Sequence, residues 1–183
     1  MKCTASALQC LLTLGLLVSP ASAQELDLKH SHIRFVGKQM GSPAGGEFKR
    51  FKADIGFDPS KPAASSARID IDLTSVYTDN ADAMIELKRR SWFDMAQFPT
   101  ASFVSTTVKA LDKDHLEISG KLSIKGQTRP TKALVRVTRS GHRYTFKGTF
   151  TLLRSQFSIG TGLWADPSVV ADEVQVNFQL LQK

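Results

Sequence analysis

Downstream of residue 23 the chain alternates apolar and polar positions with a period of two, again and again. Ile33 and Phe35 alternate with His32 and Arg34, and Phe51, Ala53, Ile55 and Phe57 alternate with Lys52, Asp54 and Gly56. Ala67, Ile69, Ile71 and Leu73 alternate with Arg68, Asp70, Asp72 and Thr74. Residues 101–111 form a fourth run, rich in Val, Thr and Phe and including Phe103. Leu116, Ile118, Gly120, Leu122 and Ile124 make a fifth apolar face; Ala133, Val135 and Val137 make a sixth. Tyr144, Phe146, Gly148, Phe150 and Leu152 make a seventh, and Val174, Val176, Phe178 and Leu180 an eighth. Side chains on a strand point to alternate faces, so each run is a strand with one face toward a core. Turn signals at Asp58-Pro59, Asp112-Lys113-Asp114, Lys125-Gly126-Gln127 and Ser140-Gly141 separate them. Links this short join antiparallel neighbours. The pattern predicts an all-β fold, an eight-stranded antiparallel up-and-down barrel wide enough to hold one small ligand.

Two segments break the alternation. Residues 78–90, TDNADAMIELKRR, read as a short helical insertion between strands three and four. Thr78 or Asp79 caps it, Asp82 complements the positive end of its dipole and Lys88, Arg89 and Arg90 the negative end. Met84, Ile85 and Leu87 supply its buried stripe, and the insertion is placed to cover a barrel mouth. The second is the long connection over residues 155–171, which carries Phe157, Leu163 and Trp164 beside glycines. Long loops holding aromatic side chains are commonly functional.

Composition changes the picture at the N-terminus. Residues 1–23 hold Lys2, an apolar run from Ala7 to Val18 and the small-x-small triplet Ala21-Ser22-Ala23. That is the layout of a cleaved signal peptide, and the run is too short for a membrane span. Gln9 precedes Cys10, where a lipoprotein signal needs a small residue. Both cysteines, Cys3 and Cys10, lie within the signal, so a mature domain of residues 24–183 has no disulfide and no thiol chemistry. Apolar content of 42% and charged content of 22% are those of a globular chain.

Charge and candidate chemistry narrow the function. Residues 109–154 carry eleven basic and three acidic side chains within a chain of net charge +7. Lys132, Arg136, Arg143 and Lys147 fall opposite the apolar positions, on an outer face that suits either plain solvation or an anionic partner such as a membrane surface. No aromatic residues interleave with them, which argues against nucleic acid. His30 and His32 share one side of a strand, but the face they lie on is polar and two imidazoles do not complete a metal site. Asp70 and Asp72 sit on a solvated strand face. Gly160-Thr161-Gly162 lacks the strand and helix of a nucleotide fingerprint, and no G-x-S-x-G or H-E-x-x-H motif occurs. No catalytic constellation and no metal site is read from the sequence.

The apolar faces are more informative. All eleven Phe lie after the signal. Most fall at inward positions, and the small inward residues Ala53, Ala67, Gly120 and Gly148 leave room between the rings. The pattern is compatible with a packed core and equally with a cavity for a long apolar ligand.

Leu28-Lys29-His30-Ser31-His32-Ile33-Arg34-Phe35, Gly46-Glu47-Phe48 and Ser75-Val76-Tyr77-Thr78 are followed by Trp92-Phe93-Asp94 and Phe98-Pro99-Thr100-Ala101-Ser102-Phe103. Then come residues 120–130, GKLSIKGQTRP, residues 154–160, RSQFSIG, and residues 170–174, VADEV. In this order and spacing, over about residues 26–182, the chain resembles the YceI-like family of periplasmic polyisoprenoid-binding proteins. The chain departs from the family pattern in the helix, where Ala83, Met84 and Glu86-Leu87 replace an Arg-Asp pair and His-Leu, and at Ser158, which replaces a glycine. The resemblance implies a periplasmic, lipocalin-like barrel without catalytic residues or covalent cofactor, holding a polyisoprenoid lipid or isoprenoid quinone. Phe35, Phe51, Ile55, Ile71, Leu73, Phe103, Leu122, Phe146 and Phe150 would line its cavity. Met84, Leu87, Trp92, Phe93, Phe157 and Trp164 would close the mouth. Arg154 would meet either the ligand head or loop carbonyls. Residues 92–94 and 162–166 are similar to a subgroup linked to cytochrome b561-type membrane proteins, which points toward a quinone and a membrane partner. The alternative is a filled barrel that docks a membrane protein or anionic surface through its basic outer face.

Overall fold

The computed structural model describes residues 26–183. The expected signal and its cleavage site lie outside the described residues. Ten strands form one antiparallel sheet: β1 (His32–Gln39), β2 (Ser42–Phe48), β3 (Phe51–Gly56), β4 (Ser66–Asp72), β5 (Val76–Tyr77), β6 (Thr100–Ala110), β7 (His115–Ile124), β8 (Gln127–Ser140), β9 (Arg143–Leu153) and β10 (Glu173–Gln182). Their order is β3-β4-β6-β7-β8-β9-β10-β1-β2-β5. The all-β antiparallel class is as expected, but the strand count is ten where eight were expected. The two extra strands have no alternation to show. β2 reads SPAGGEF, and β5 is two residues long. Partners make β2 a strand despite its glycines: it pairs with β1 from Ile33↔Phe48 to Gln39↔Ser42. Its Pro43 lies outside the short stretch that also pairs with β5, where a missing N–H costs little.

The two ends of the strand order meet at one corner. β2 runs almost directly into β3, and a 3-10 turn at Leu73–Ser75 joins β4 to β5. Hydrogen bonds tie the bends together: Lys49 N donates to Ser75 O (3.1 Å), Asp72 N to Arg50 O (3.0 Å) and Arg50 N to Ser75 Oγ (2.9 Å). The sheet thereby curls into a barrel-like shape with its apolar faces inward.

Among the described residues one α-helix, α1 (Ala81–Lys88), falls between β5 and β6, so that the short β5 separates it from the strand it was expected to follow. Its cap is Asn80, whose side chain accepts from Ala83 N at 3.0 Å, rather than Thr78 or Asp79. Thr78 Oγ1 instead braces Asn80, accepting from its N–H (3.0 Å) and donating to its carbonyl (2.9 Å). The helix turns Ala83, Glu86 and Leu87 inward, at the i, i+3, i+4 spacing of one face. Ile85, expected in the buried stripe, is 55% exposed.

Two apolar clusters fill the interior. One, at the base, gathers Ile55, Val108, Leu116, Val135, Phe146 and Leu180. The other, toward the mouth, gathers Leu73, Val76, Leu87, Phe93, Leu122 and Phe157. The expected room at Gly120 and Gly148 is taken: the rings of Phe103 and Phe178 lie across these glycines, where a Cβ would collide with them. The glycines therefore serve close ring packing rather than open space.

Candidate functional site

A cavity of about 900 Å³ opens at the mouth end. One wall is the inner face of the sheet: Ile33 and Phe35 of β1, Phe150 and Leu152 of β9, Val174 and Val176 of β10. The β1–β2 hairpin (Lys38, Met40, Pro43, Ala44, Gly45) makes a second wall, and α1 with the following loop (Ala83, Glu86, Leu87, Trp92, Phe93) a third. Trp164 and Val170 of the loop after β9 complete the rim. A smaller space of about 90 Å³ lies toward the base, lined by Ile55, Phe57, Phe103, Phe146 and Phe178 among others. Ile33, Ile71, Leu122, Phe150 and Val176 line both, so they form the wall shared by the two spaces.

The structure sorts the expected site residues by depth. Phe35, Leu73, Leu87, Trp92, Phe93, Arg154 and Trp164 line the large cavity, and Ile71, Leu122 and Phe150 line both spaces. Ile55, Phe103 and Phe146 border only the small one. Phe51, Met84 and Phe157 line neither. Phe51 packs in the basal core and Phe157, 1% exposed, in the core behind the mouth. Met84 sits one position off the inward face of α1, where Ala83 stands instead. The alternation missed the β2 wall and the polar rim residues Thr78, Asp79, Asn80 and Asp82; the small residues of Pro43-Ala44-Gly45 were the available signal for a strand packed closely on its neighbour, where a Cβ at Gly45 would meet the carbonyl of Phe35.

Arg154 decides between its two expected roles. It is 3% exposed, and all its donors reach carbonyls. Nε donates to Ala171 O (3.1 Å), Nη1 to Ile159 O (2.9 Å) and Gly160 O (2.8 Å), Nη2 to Trp164 O (2.7 Å) and Val170 O (2.6 Å). No donor is left for a ligand head. The guanidinium is instead a knot for the loop that forms the rim. Asp172 reinforces it by accepting from Ser155 N (2.9 Å) and Ser155 Oγ (2.8 Å).

A second clip crosses the mouth. Glu86 Oε1 accepts from Trp164 Nε1 (2.9 Å) and Ser91 Oγ (3.2 Å), while Oε2 pairs with Arg89 (3.2 Å). Trp92 packs edge-on to Trp164, ring centres 5.7 Å apart, and its own Nε1 is buried without a partner. Behind the mouth, Lys125 donates to Arg90 O (2.7 Å) and Ser158 O (2.6 Å), joining two loops. Burial there lowers its pKa from the usual lysine range, opposed in part by the nearby charge of Asp94.

The interior offers little reactive chemistry. Asp70 pairs with Arg68 (2.8 Å) and Asp72 with Arg50 (2.9 Å), both on the outer face. His30 contacts Asp27 (2.9 Å), and among the described residues no group of three His, Cys, Asp or Glu is placed to hold a metal. The arrangement can enclose an elongated apolar molecule, with its polar end among the rim groups.

Comparison with known proteins agrees with this architecture. The model of the YceI-like domain matches residues 24–181. A UPF0312 protein of Pseudomonas syringae pv. syringae (strain B728a) is 29% identical over 167 residues, covering 86% of this chain and 81% of the relative. Protein YceI of Escherichia coli O157:H7 is 35% identical over 123 residues, covering 63% and 64%. The crystal structure of Burkholderia cenocepacia BcnA superposes with a TM-score of 0.84 at 38% identity, covering 87% of this chain and all (100%) of that one. A polyisoprenoid binding domain from Saccharophagus degradans shares the fold, with a TM-score of 0.72 at 19% identity and coverage of 88% and 98%. By its matched length, its fold and its order of motifs, the chain belongs to the YceI-like family.

Proposed function

We propose that this chain is an exported, periplasmic, non-catalytic binding protein that carries or stores an isoprenoid lipid or isoprenoid quinone. The observation that carries the reading is the apolar cavity of about 900 Å³ at the mouth, with a second, smaller space behind a shared wall near the base. Its volume lies within the range of sites that enclose small-molecule ligands. Burial of a prenyl chain against Phe35, Leu87, Phe93 and Phe150 would drive binding, at roughly 25 cal/mol per Å² before ordering costs. The description of the Saccharophagus degradans neighbour as polyisoprenoid binding supports the ligand class. The signal-like residues 1–23 support export. A quinone ligand would also suit the cytochrome b561-type membrane partner to which residues 92–94 and 162–166 point. The docking alternative calls for a filled interior, and the open cavity favours the ligand reading over it.

Native mass spectrometry of protein purified from the periplasm tests the proposal. An adduct that extracts as a polyprenyl lipid or quinone is the expected result. Ala83→Trp should act as a plug, because Ala83 lies on the cavity wall; the variant should keep its melting temperature and lose the adduct about tenfold or more. A wild-type protein that never carries an extractable prenyl compound, even when offered one in detergent, would sink the reading.

A further inference from the structure

Two apolar side chains on the mouth are almost wholly exposed: Met40, at 79%, on the turn between β1 and β2, and Leu163, at 94%, beside the rim residue Trp164. Neither belongs to a loose tip. Met40 N donates to Val169 O (2.8 Å) and Ala171 N to Lys38 O (2.9 Å), which fastens the hairpin to the loop after β9. Arg154 Nη2 donates to both Trp164 O and Val170 O. The backbone that carries Leu163 and the backbone that braces Met40 thus converge on one guanidinium.

Folding stability does not account for these residues. Met40 holds a left-handed backbone (φ 49°), a position that favours Gly or Asn and costs other residues strain. It gains no packing in return. Exposed apolar groups on a rim fastened by hydrogen bonds, one of them held at a left-handed position, mark a contact surface.

The chemistry of the rim identifies what it contacts. The cavity wall stays apolar through Pro43, Ala44 and Val170 up to these tips. The same rim carries Asp79 and Asp82, which outnumber its one lysine, Lys38; none of the three forms an ion pair among the described residues. An apolar pair beside unpaired carboxylates complements a surface with ammonium groups outermost and hydrocarbon beneath. We propose that the mouth docks on a zwitterionic lipid bilayer, with Met40 and Leu163 entering the acyl region and Asp79 and Asp82 meeting headgroup ammonium groups. The cavity then opens directly toward the membrane. This inference rests on the prenyl-ligand reading, because such a ligand is dissolved in a bilayer and must cross from it into the cavity.

Co-sedimentation of the mature protein with phosphatidylcholine vesicles tests it. Wild-type protein should bind, and Leu163→Ser and Met40→Asn should each lower the partition coefficient about tenfold. Met40→Asn should at the same time raise the melting temperature, by relieving the left-handed strain. Equal binding by wild type and both variants, or no binding by wild type, would overturn the proposal. So would tighter, salt-sensitive binding to phosphatidylglycerol vesicles, which would assign docking to the basic outer strands. A membrane-free arm separates the two readings: uptake of detergent-solubilised geranylgeraniol, read by native mass spectrometry. Leu163→Ser should take up this prenol as wild type does while losing vesicle binding. A wild type that takes up none overturns the ligand reading, whereas the vesicle arm alone decides the rim.

Discussion

At the base of the sheet, Phe57 meets Tyr144 and Phe146 edge-on, with ring centres 5.1 and 5.3 Å apart, and the rings of Phe103 and Phe178 close over glycines. At the mouth, Phe35, Phe93 and Leu87 face an open cavity of about 900 Å³, and order comes from directed hydrogen bonds: the Arg154 knot, the Glu86 clip and the Lys125 bridge. The same inward alternation runs through both halves. What differs is how completely the rings are enclosed: at the base they pack on one another, whereas at the mouth Phe35 and Phe93 meet the ring of Phe48 on one side and the cavity on the other. The base is held by contact, where an edge-to-face pair adds about 0.5–1.5 kcal/mol beyond its buried area. The mouth is held by hydrogen bonds of polar groups at the rim of the cavity, Arg154 and Glu86, and of Lys125 behind it, which brace the apolar part of the wall against collapse. A binding barrel needs both, since a void lined by side chains without such bracing would close.

Removing the polar brace should have the largest effect. Arg154→Met keeps much of the side-chain volume but strips donors from five carbonyls, two of them, on Ile159 and Gly160, buried. Unsatisfied buried acceptors cost about 1–3 kcal/mol each where water cannot reach them. A total loss of about 4 kcal/mol is expected in urea unfolding, together with loss of ligand retention. A variant of near wild-type stability would show that packing, not the knot, holds the mouth.

Parallel truncations should sharpen the contrast between the halves. Phe146→Ala at the base, where the residue is 4% exposed, should cost about 3–4 kcal/mol. Phe35→Ala at the mouth should cost about 1–2 kcal/mol, because its ring already borders open space and little new void is created. The order should reverse for ligand affinity, with Phe35→Ala the more damaging. Equal stability losses at the two sites would mean that the mouth is as tightly packed as the base.

This contrast also explains what the sequence could and could not convey. Period-two alternation tells which side of a strand a residue faces, so Ile69, Phe103 and Val135 were legible as inward. It says nothing of height along the barrel, and for that reason Phe51 and Phe146 were grouped with Phe35 although they pack below the cavity. β2 was hidden because its small residues, chosen for close approach, carry no pattern; Gly45 and Gly46 pack where a Cβ would press on the carbonyls of Phe35 and Tyr77. The helix was visible from its composition, but which stripe it buries depends on the surface beneath it, so Met84 was expected where Ala83 stands. Arg154 had two open roles, and only the convergence of five carbonyls from residues 159–171 resolves them.

The smallest expected effect concerns the outer face. His32 pairs with Gln179 on β10, which in turn pairs with Lys147 on β9. Burial first, then the charges of Arg34 and Lys147, lowers its pKa below the ordinary value of 6.5. Between that value and the lowered one, the unfolded chain binds more protons than the folded chain. Stability therefore rises with pH through this window and falls as pH drops below about 6.5. His32→Gln should flatten that part of the profile, seen as a smaller shift of the urea midpoint between pH 7.5 and 5. The carboxylates held low by hydrogen bonds, such as Asp72 beside Thr74 and Arg50, lose their contribution only at more acid pH and do not blur the comparison. His32 neighbours Ile33, whose side chain lines both spaces, yet it points outward from the same strand. Its protonation should thus lower global stability and leave prenol uptake at pH 5 unchanged. Identical pH profiles for the variant and wild type would place the slope elsewhere, and a parallel loss of uptake would show that the outer face and the cavity are coupled through β1.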